Sequence, residues 1–502
     1  MARRCAEDAE GREELAVWWA IVWPNWVSAA CNLLMNCTDA AILGHYHGGG
    51  YLPAASTATV VMSLTTCVIG RGPCGTVGTL SANAYGAGQD ELAGRRLQMG
   101  LAYTTLLGLL VSPAWAFAGD CLAHLSHTAV SRADVDTYGR WRLIGLLPGA
   151  WCLVLQSWLS GRGDTKPALY TSVMAVLLNT LCNFLLIYGI FGWGGLGFVG
   201  SPLATGLTQW VKLAGLLWWS REHVSRCWPQ KPGPSFAWLR CKDFIKLCLP
   251  LTISGLLEEF NMQLTAVFAL AFGPQELATH NCMIMAFVFL STAMIGFANG
   301  TSARVSHHVV RGHLAKIRKL CQIAGTAMFS WSFVVMVAFF ALQEYLGKLF
   351  SDNPEVWVLS GQLSILVGVL YFLISGFYLA LGVLEGLAKP TIIMVGFLLG
   401  CYVVGLPLSY LFGFVMEPEV LAWWPHFQPE TASGEQPRGC GLLGLWMGLG
   451  AGYFITTIVT AGRLLCLRDW GPLVARAREL AELGQRREAL VQDSGEEPTQ
   501  PL

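Results

Sequence analysis

Long apolar segments alternate with short polar ones along the whole chain. A membrane-spanning helix needs about 20 apolar residues, and charges, glycines and prolines bound such segments here. A charge-free stretch over residues 167–211 is too long for one crossing, and glycines over 192–197 divide it into a hairpin. The pattern predicts twelve transmembrane helices, over residues 15–44, 53–80, 97–118, 141–161, 167–190, 196–219, 243–272, 277–303, 320–342, 357–385, 390–415 and 440–466.

The two halves of the chain resemble each other. Pro24 opens the first predicted helix as Pro250 opens the seventh, and the element at 163–167 recurs at 386–390. Gly48 and Leu52 have the same spacing as Gly273 and Leu277. Six helices per half give both halves the same orientation, related by an axis along the membrane normal. We therefore expect an all-α polytopic protein in which two pseudo-symmetric six-helix bundles surround a central cleft. The predicted divisions are a tail over 1–14, a bundle over 15–219, a basic linker over 220–242, a bundle over 243–466 and a tail over 467–502.

Lys and Arg residues concentrate in the loops that follow even-numbered helices. Because cytoplasmic loops are rich in these cations, both termini, and with them the two tails and the linker, are predicted to be cytoplasmic. Arg140 and Arg142, at the opposite end of the fourth helix, are exceptions that we interpret as snorkelling side chains. The sequence leaves open whether the membrane is plasma or organellar.

Composition supports a membrane protein, since only 13% of the residues are charged and 54% are hydrophobic. Soluble domains carry about 25% charged residues. The balanced net charge gives no sign of nucleic-acid binding, and the sixteen cysteines include no C-x-x-C pair or Cys/His cluster with metal spacing. We expect no cofactor and no metal, and a lipid bilayer as partner.

Three carboxylates interrupt apolar stretches that are otherwise free of Asp, Glu, Lys and Arg: Asp39 within residues 15–70, and Glu258 and Glu259 within residues 247–275. A carboxylate at the centre of a membrane helix costs about 2.5–3.5 kcal/mol on insertion scales, so such residues mark ion pathways or substrate sites. The chain is therefore predicted to be a transporter. The sequence contains neither an H-E-x-x-H nor a G-x-S-x-G motif, either of which would indicate a membrane-embedded enzyme.

Several segments, in this order, resemble the multidrug and toxic compound extrusion (MATE) family over residues 15–466. The segment at 160–167 is similar to the R-G-x-x-D-T-x-x-P element after the fourth helix, especially in the DinF-like branch. The other matching segments are Ala84-Tyr-Gly-Ala-Gly88, Leu178-Asn-Thr-Leu-Cys-Asn183, Gly195-Leu-Gly-Phe-Val-Gly-Ser-Pro-Leu-Ala-Thr205, Arg304-Val-Ser and Tyr402-Val-Val-Gly-Leu-Pro-Leu408.

The resemblance implies a monomeric secondary active antiporter that exports small organic solutes, such as drug-like cations, organic acids or secondary metabolites, in exchange for protons or sodium ions. It assigns Pro24 as a hinge and Asp39, with Asn179, Asn183 and Thr205, as the coupling site. Many relatives carry Asp where this chain has Asn183, and the loss of that charge favours protons over sodium.

In the second half, the resemblance assigns Glu258 to cation binding or proton coupling. Glu259 is predicted to be an interhelical hydrogen-bonding partner, with Gln263 one turn away as its neighbour, and Tyr371 and Tyr378 are candidates for lining the cleft. Together with Glu258, these residues form the predicted substrate- or cation-binding set. Arg71, the only cation deep in the second helix, either neutralises a carboxylate or snorkels.

Three alternatives remain open on the sequence: a sodium-coupled exporter of the same family, a lipid-linked saccharide flippase of the same superfamily, and a channel. Flippases line a large cavity with several cations, whereas Arg71 is nearly alone in this sequence. Matched half-repeats around an acidic cleft favour alternating access over a channel.

Overall fold

A computed structural model describes residues 2–46, 50–123, 131–190, 192–229, 236, 238–351, 353–421 and 439–465, with residues 471, 472, 475 and 479 of the tail. Gly48 of the repeat pattern and most of the predicted tail over 467–502 therefore lie outside the described residues. Within the described part of the chain, every regular element is helical.

The described chain forms twelve long helices, as the sequence predicted. They are α1 (Ala2–His45), α2 (Leu52–Gly86), α3 (Asp90–Ala116), α4 (Arg132–Arg162), α5 (Lys166–Tyr188), α6 (Gly200–Cys227), α7 (Trp238–Phe272), α8 (Pro274–Val310), α9 (Leu314–Ala341), α10 (Pro354–Gly386), α11 (Pro390–Val415) and α12 (Gly441–Leu465). Short helices at Ala118–Ala123 and Gln343–Phe350 follow α3 and α9.

The helix ends differ most from the sequence prediction where a helix extends beyond its apolar core. The first helix begins at Ala2, because Ala, Arg and Glu in the predicted tail favour helix and continue it out of the membrane. Helix α4 begins at Arg132 and includes a 3₁₀ turn at Leu143–Gly145, so an amphipathic segment precedes the apolar one. Hydropathy finds the membrane-buried part of a helix, whereas hydrogen bonding decides its full length.

Ten of the described helices are long and apolar enough to cross a membrane by length and composition. The other two long helices are α6 and α7, which carry Lys212, Glu258 and Glu259 in their interiors. The outer surface exposes large apolar side chains, such as Leu110 and Leu177, each 68% exposed. An all-helical body with an apolar surface satisfies its backbone hydrogen bonds internally, as lipid requires.

The two bundles meet mainly through two helix pairs: α1 packs against α8, and α2 packs against α7. If the first half is superimposed on the second in chain order, α1 corresponds to α7 and α2 to α8. The two contacting pairs therefore exchange places under the repeat, as a pseudo-two-fold axis requires.

Helix α8 approaches α1 closely at two glycines one turn apart, Gly296 and Gly300. A Cβ atom on Gly296 would lie 2.8 Å from the Cβ of Trp26, and one on Gly300 would lie 2.5 Å from a methyl group of Val22. Small residues at this spacing let transmembrane helices pack backbone against backbone. The interface between the bundles is therefore built for close contact along this part of α1.

Pro24 lies inside α1, which continues through it as a helix. Proline lacks the N–H that would bond the carbonyl four residues earlier. That carbonyl belongs to Ala20 and accepts instead from Thr165 Oγ1 at 3.2 Å. Thr165 belongs to the R-G-x-x-D-T-x-x-P-like element, so this element holds the first helix at its proline.

Several polar contacts join the bundles near the amino-terminal end of α1. Glu14 accepts two hydrogen bonds from Arg304, from Nε and Nη2, each at 2.8 Å, and its Oε1 lies 3.1 Å from His308 Nε2. Trp18 Nε1 donates to Thr301 Oγ1 at 3.2 Å, and Arg311 Nε donates to the carbonyl of Gly86 at 3.1 Å. We call Glu14, Arg304 and His308 the terminal cluster. It joins α1 to α8, and we call the end of the molecule where it does so the closed end.

Candidate functional site

Asp39 lies on α1 inside the first bundle and is 5% exposed. Its Oδ1 accepts a hydrogen bond from Asn183 Nδ2 at 2.7 Å, and its Oδ2 accepts one from Thr205 Oγ1 at 2.6 Å. The structure therefore joins α1, α5 and α6 through one carboxylate. Both distances lie at the short end of the range for hydrogen bonds of their type.

Asn179 completes this arrangement one turn before Asn183. Its Nδ2 donates to Thr205 Oγ1 at 3.1 Å, and its own carbonyl accepts from Asn183 Nδ2 at 3.0 Å. Asn179, Asn183 and Thr205 are each at most 1% exposed. The four residues that the sequence predicted as a coupling site thus lie together in one buried hydrogen-bonded network.

Arg142 is the partner of Asp39 that the sequence analysis missed. Its Nη1 donates to Asp39 Oδ2 at 3.2 Å, and its side chain is only 18% exposed. The interpretation of Arg142 as a snorkelling side chain is wrong, because its guanidinium pairs with the buried carboxylate of Asp39 on α1. Arg140, two residues earlier, donates to the carbonyl of Ala116 and covers the ring of Phe117.

Lys212 is another buried cation in the first bundle and is 3% exposed. Its Nζ donates to Asn32 Oδ1 at 2.7 Å. The sequence analysis overlooked it, although Lys212 interrupts an otherwise charge-free helix as Asp39 does. The criterion that found the carboxylates would have found this lysine had it been applied to cations.

The second candidate region lies where α2 faces α7. Arg71 Nη1 is 3.7 Å from Glu258 Oε2, and the two side chains are 30% and 20% exposed. Of the two roles weighed for Arg71, the structure therefore shows pairing with a carboxylate. Gln263 Nε2 donates to Glu259 Oε1 at 3.0 Å within α7.

The two tyrosines of α10 differ in their surroundings. Tyr371 is fully buried; its hydroxyl donates to the carbonyl of Leu290 at 2.8 Å and accepts from Trp331 Nε1 at 3.1 Å. Tyr378 is 7% exposed and lies within electrostatic range of Glu258 and Arg71. The structure therefore groups Tyr378 with the acidic region and Tyr371 with the core of the second bundle.

His280 is buried against the indole of Trp446, with ring centroids 5.6 Å apart. No group of three or more His, Cys, Asp or Glu side chains with metal-binding geometry occurs among the residues that the structure describes. The charged groups inside the bundles are thus carboxylates with Arg or Lys near some of them, an arrangement that suits movement of protons or organic ions.

These features define a class: a multi-pass membrane transporter of two repeated six-helix bundles with buried carboxylates. Comparison with known proteins identifies the family. The family model described as MatE matches residues 24–185 and 250–411, and the chain belongs to this family. The two matched stretches are equally long and begin at Pro24 and Pro250, so the match also supports the internal repeat.

Named relatives and solved structures agree with this assignment. A probable multidrug resistance protein NorM of Bradyrhizobium diazoefficiens is 24% identical, with 84% of this chain and 87% of the relative aligned. Multidrug and toxin extrusion protein 1 of Mus musculus is also 24% identical, with 82% and 72% aligned. The crystal structure of the eukaryotic MATE transporter AtDTX14 superposes with a TM-score of 0.79 at 18% identity, covering 94% of this chain and 99% of that one. The finer assignment to the DinF-like branch stays a prediction.

Proposed function

We propose that this protein exports small organic solutes, including drug-like cations, in exchange for protons, and that Asp39 is the proton site. The observation that carries the proposal is the buried carboxylate of Asp39, which accepts hydrogen bonds from Asn183, Thr205 and Arg142. The printed names of the relatives, which refer to multidrug resistance and extrusion, support export of organic compounds. The protein works in this proposal as a monomer in a lipid bilayer, without a cofactor.

The contacts of Asp39 suit a group that changes charge during transport. All three neighbours donate, so they stabilise the ionised form. A protonated carboxyl group would need an acceptor and would leave Arg142 without its anion. Asn183 Oδ1 is buried and has no hydrogen-bond partner among the described residues. Rotation of this amide would present that oxygen to a protonated Asp39, so Asn183 can serve both states of the acid.

Helix α1 can transmit this change, since it carries Asp39 near one end and Glu14 near the other. Proton uptake changes the bonding of Asp39 to α5 and α6. Pro24, which lies between Glu14 and Asp39, lowers the cost of bending α1. A shift of α1 about Pro24 would strain the hydrogen bonds that Glu14 makes in the terminal cluster. This mechanism couples the protonation of the first bundle to the opening of the closed end.

Two observations favour protons over sodium. The network around Asp39 contains one carboxylate, because residue 183 is Asn, and the guanidinium of Arg142 lies against that carboxylate. A sodium ion at this place would meet oxygen ligands with no net negative charge. The flippase alternative gains some support from Arg142 and Lys212, since Arg71 is not the only inward cation, but the relatives favour drug export.

The test uses purified protein in liposomes that contain a pH-sensitive dye. With a pH gradient imposed, a fluorescent organic cation should accumulate against its own gradient, and its movement should release protons in proportion. An equal sodium gradient at constant pH should drive no accumulation. Accumulation driven by sodium alone would contradict the choice of coupling ion and leave export itself intact.

A further inference from the structure

The proline of the first helix receives a hydroxyl group from outside that helix. Pro24 has no N–H, so the carbonyl of Ala20 lacks its helical donor, and Thr165 Oγ1 donates to it at 3.2 Å. Thr165 is 2% exposed and is the N-cap residue of α5, yet its side chain makes no capping bond to that helix. The hydroxyl therefore bonds α1 rather than the helix that follows it. Thr165 belongs to the connection over residues 160–167, which we call the α4–α5 segment.

Other contacts of the α4–α5 segment lie on both sides of Pro24. Asn25 Nδ2 donates to Ser160 Oγ at 2.9 Å. A Cβ atom on Gly163 would lie 3.7 Å from Ile21 Cδ1, which is ordinary packing contact. The segment thus contacts α1 from one turn before the proline to the residue after it, and it spans the break that Pro24 makes in the helical hydrogen bonds.

The opposite bundle also holds the α4–α5 segment. His307 Nε2 of α8 lies 2.8 Å from the carbonyl oxygen of Gly161. Because a carbonyl oxygen only accepts, Nε2 carries the proton and donates. His307 is the neighbour in sequence of His308, a member of the terminal cluster, so this bond lies where the bundles meet at the closed end. One short segment therefore contacts the proline of α1 and the opposite bundle.

The second half of the chain lacks the hydroxyl at the corresponding place. The segment over 386–390 is the repeat, with Ala388 in the position of Thr165. The opposite bundle holds this segment too, since Thr79 Oγ1 of α2 donates to the carbonyl of Glu385 at 3.2 Å. An alanine side chain, however, has no donor to offer the proline of α7. Of the two repeats, the first alone has a residue at this position that can join the contact between bundles to a proline in its own bundle.

We propose that Thr165 is a positioning residue that sets the bend of α1 according to the state of the closed end. While His307 holds the α4–α5 segment, the hydroxyl of Thr165 takes the place of the N–H that Pro24 lacks and keeps α1 helical through the proline. When the bundles separate, the segment is released, the carbonyl of Ala20 loses this donor, and α1 bends. The inference rests on the proposed function, in which a shift of α1 couples protonation to opening, and it adds the residue that links the two.

The strength of this bond suits a reversible role. One neutral hydrogen bond changes an equilibrium about fivefold, so its loss biases the shape of α1 without unfolding the helix. A carbonyl left without a donor in the apolar part of the membrane is unfavourable. Release of Ala20 is therefore favourable only when bending gives that carbonyl another partner, and closure of the bundles restores the original bond.

The test is a double-mutant cycle between residues 24 and 165, measured by hydrogen–deuterium exchange of the purified full chain. The exchange rate of a backbone amide follows the population of its locally open state. T165V removes the hydroxyl and keeps the shape, so peptides of α1 over residues 18–30 should exchange about fivefold faster. P24A restores an N–H for the carbonyl of Ala20, so in that background T165V should change the exchange by less than about twofold.

Three further variants complete the test. T165S keeps the hydroxyl and should exchange as the wild type does. The matched control is T171V, since Thr171 is similarly buried, at 4% exposed, but bonds the carbonyl of Pro167 within its own helix at 2.8 Å. It should leave the exchange of α1 unchanged. H307F removes the donor to Gly161 and should raise the exchange of the same peptides in the wild type, but should add nothing to T165V.

Two results would overturn the inference. The first is an equal increase caused by T165V with and without Pro24, or no increase at all, because Thr165 would then only pack the segment. The second is full addition of the effects of H307F and T165V, because the hydroxyl would then act independently of the opposite bundle. Exchange requires no transport, so if the wild type still accumulates a cation under a pH gradient, the export proposal survives either result. A wild type without such accumulation would contradict the export proposal instead.

Discussion

The two acidic regions of this transporter differ in how completely the protein satisfies them. Asp39 is 5% exposed and accepts three hydrogen bonds, one of them from an arginine of its own bundle. Glu258 is 20% exposed at its side chain and faces an arginine of the other bundle at 3.7 Å. A carboxylate enclosed by protein donors suits a switch, whereas a loosely paired one suits contact with a changing ligand. We therefore expect the first bundle to carry the coupling site and the second bundle to bind the solute.

The strongest test of this division exchanges each carboxylate for its neutral amide. D39N should abolish accumulation of the fluorescent organic cation driven by a pH gradient, because the amide cannot take up a proton, while its affinity for that cation stays within about threefold of the wild type. E258Q should instead weaken binding of the cation about tenfold or more, by loss of a charged partner, and keep the response to pH in what transport remains. Fluorescence anisotropy of the bound cation and uptake into vesicles measure the two properties separately.

The control for D39N is D90N, since Asp90 is an exposed residue at the start of α3. It should transport normally at equal amounts in the membrane. If D39N retained gradient-driven uptake, or if E258Q lost only the pH response, the division of roles between the bundles would be reversed.

The terminal cluster extends the comparison to a third, tightly held pair. E14Q leaves Arg304 without an anion where the two side chains of the pair are 17% and 11% exposed, so it should destabilise the closed end by about 3 kcal/mol. E10Q is the matched control, since Glu10 pairs with Lys316 where both side chains are about half exposed, at 57% and 41%. Exposed pairs contribute about 0–1 kcal/mol. The midpoint temperature of thermal unfolding in detergent should fall clearly for E14Q and little for E10Q. Equal decreases for the two variants would contradict the role of the terminal cluster.

Arg142 provides a test of smaller effect within the first bundle. R142Q removes the cation beside Asp39, so the carboxylate should take up a proton more readily and the pH profile of transport should move to higher pH, by about one unit. The maximal rate should change less than in D39N. The control is R140Q, because Arg140 lies two residues earlier on α4 and donates to the carbonyl of Ala116. A pH profile of R142Q that is unchanged or moves to lower pH would show that Arg142 does not act on the proton site.

The smallest expected effect comes from one hydrogen bond whose donor is uncharged. T205V keeps the shape of residue 205 but removes the hydroxyl that bonds Asp39 at 2.6 Å. The loss should move the pH profile in the same direction as R142Q but by less, because the hydroxyl donates a single bond to the ionised acid. A larger shift than that of R142Q would make Thr205, rather than the arginine, the main support of the ionised acid.

The sequence predicted some parts of the site well and others poorly, for identifiable reasons. Asp39, Glu258 and Glu259 stood out because a charge in an apolar segment is costly wherever it lies. Asn179, Asn183 and Thr205 could be attached to Asp39 only through the family resemblance, since residues 140 to 166 positions apart share no local pattern. Arg142 was missed as a partner because its segment reads as polar, and only its contact with Asp39, 103 positions away in the chain, shows that it points inward.

By itself, the sequence determined twelve helices, their grouping into two repeats and the three exceptional carboxylates, since all of these follow from hydropathy and spacing along one chain. Only the tertiary structure decided which carboxylate is enclosed and which is open. The bonds of Asp39 depend on how α4, α5 and α6 converge on α1, and the gap between Arg71 and Glu258 depends on how closely the bundles approach. Such distances are set by packing between helices far apart in the chain, where a difference of 1 Å separates a hydrogen bond from an open donor.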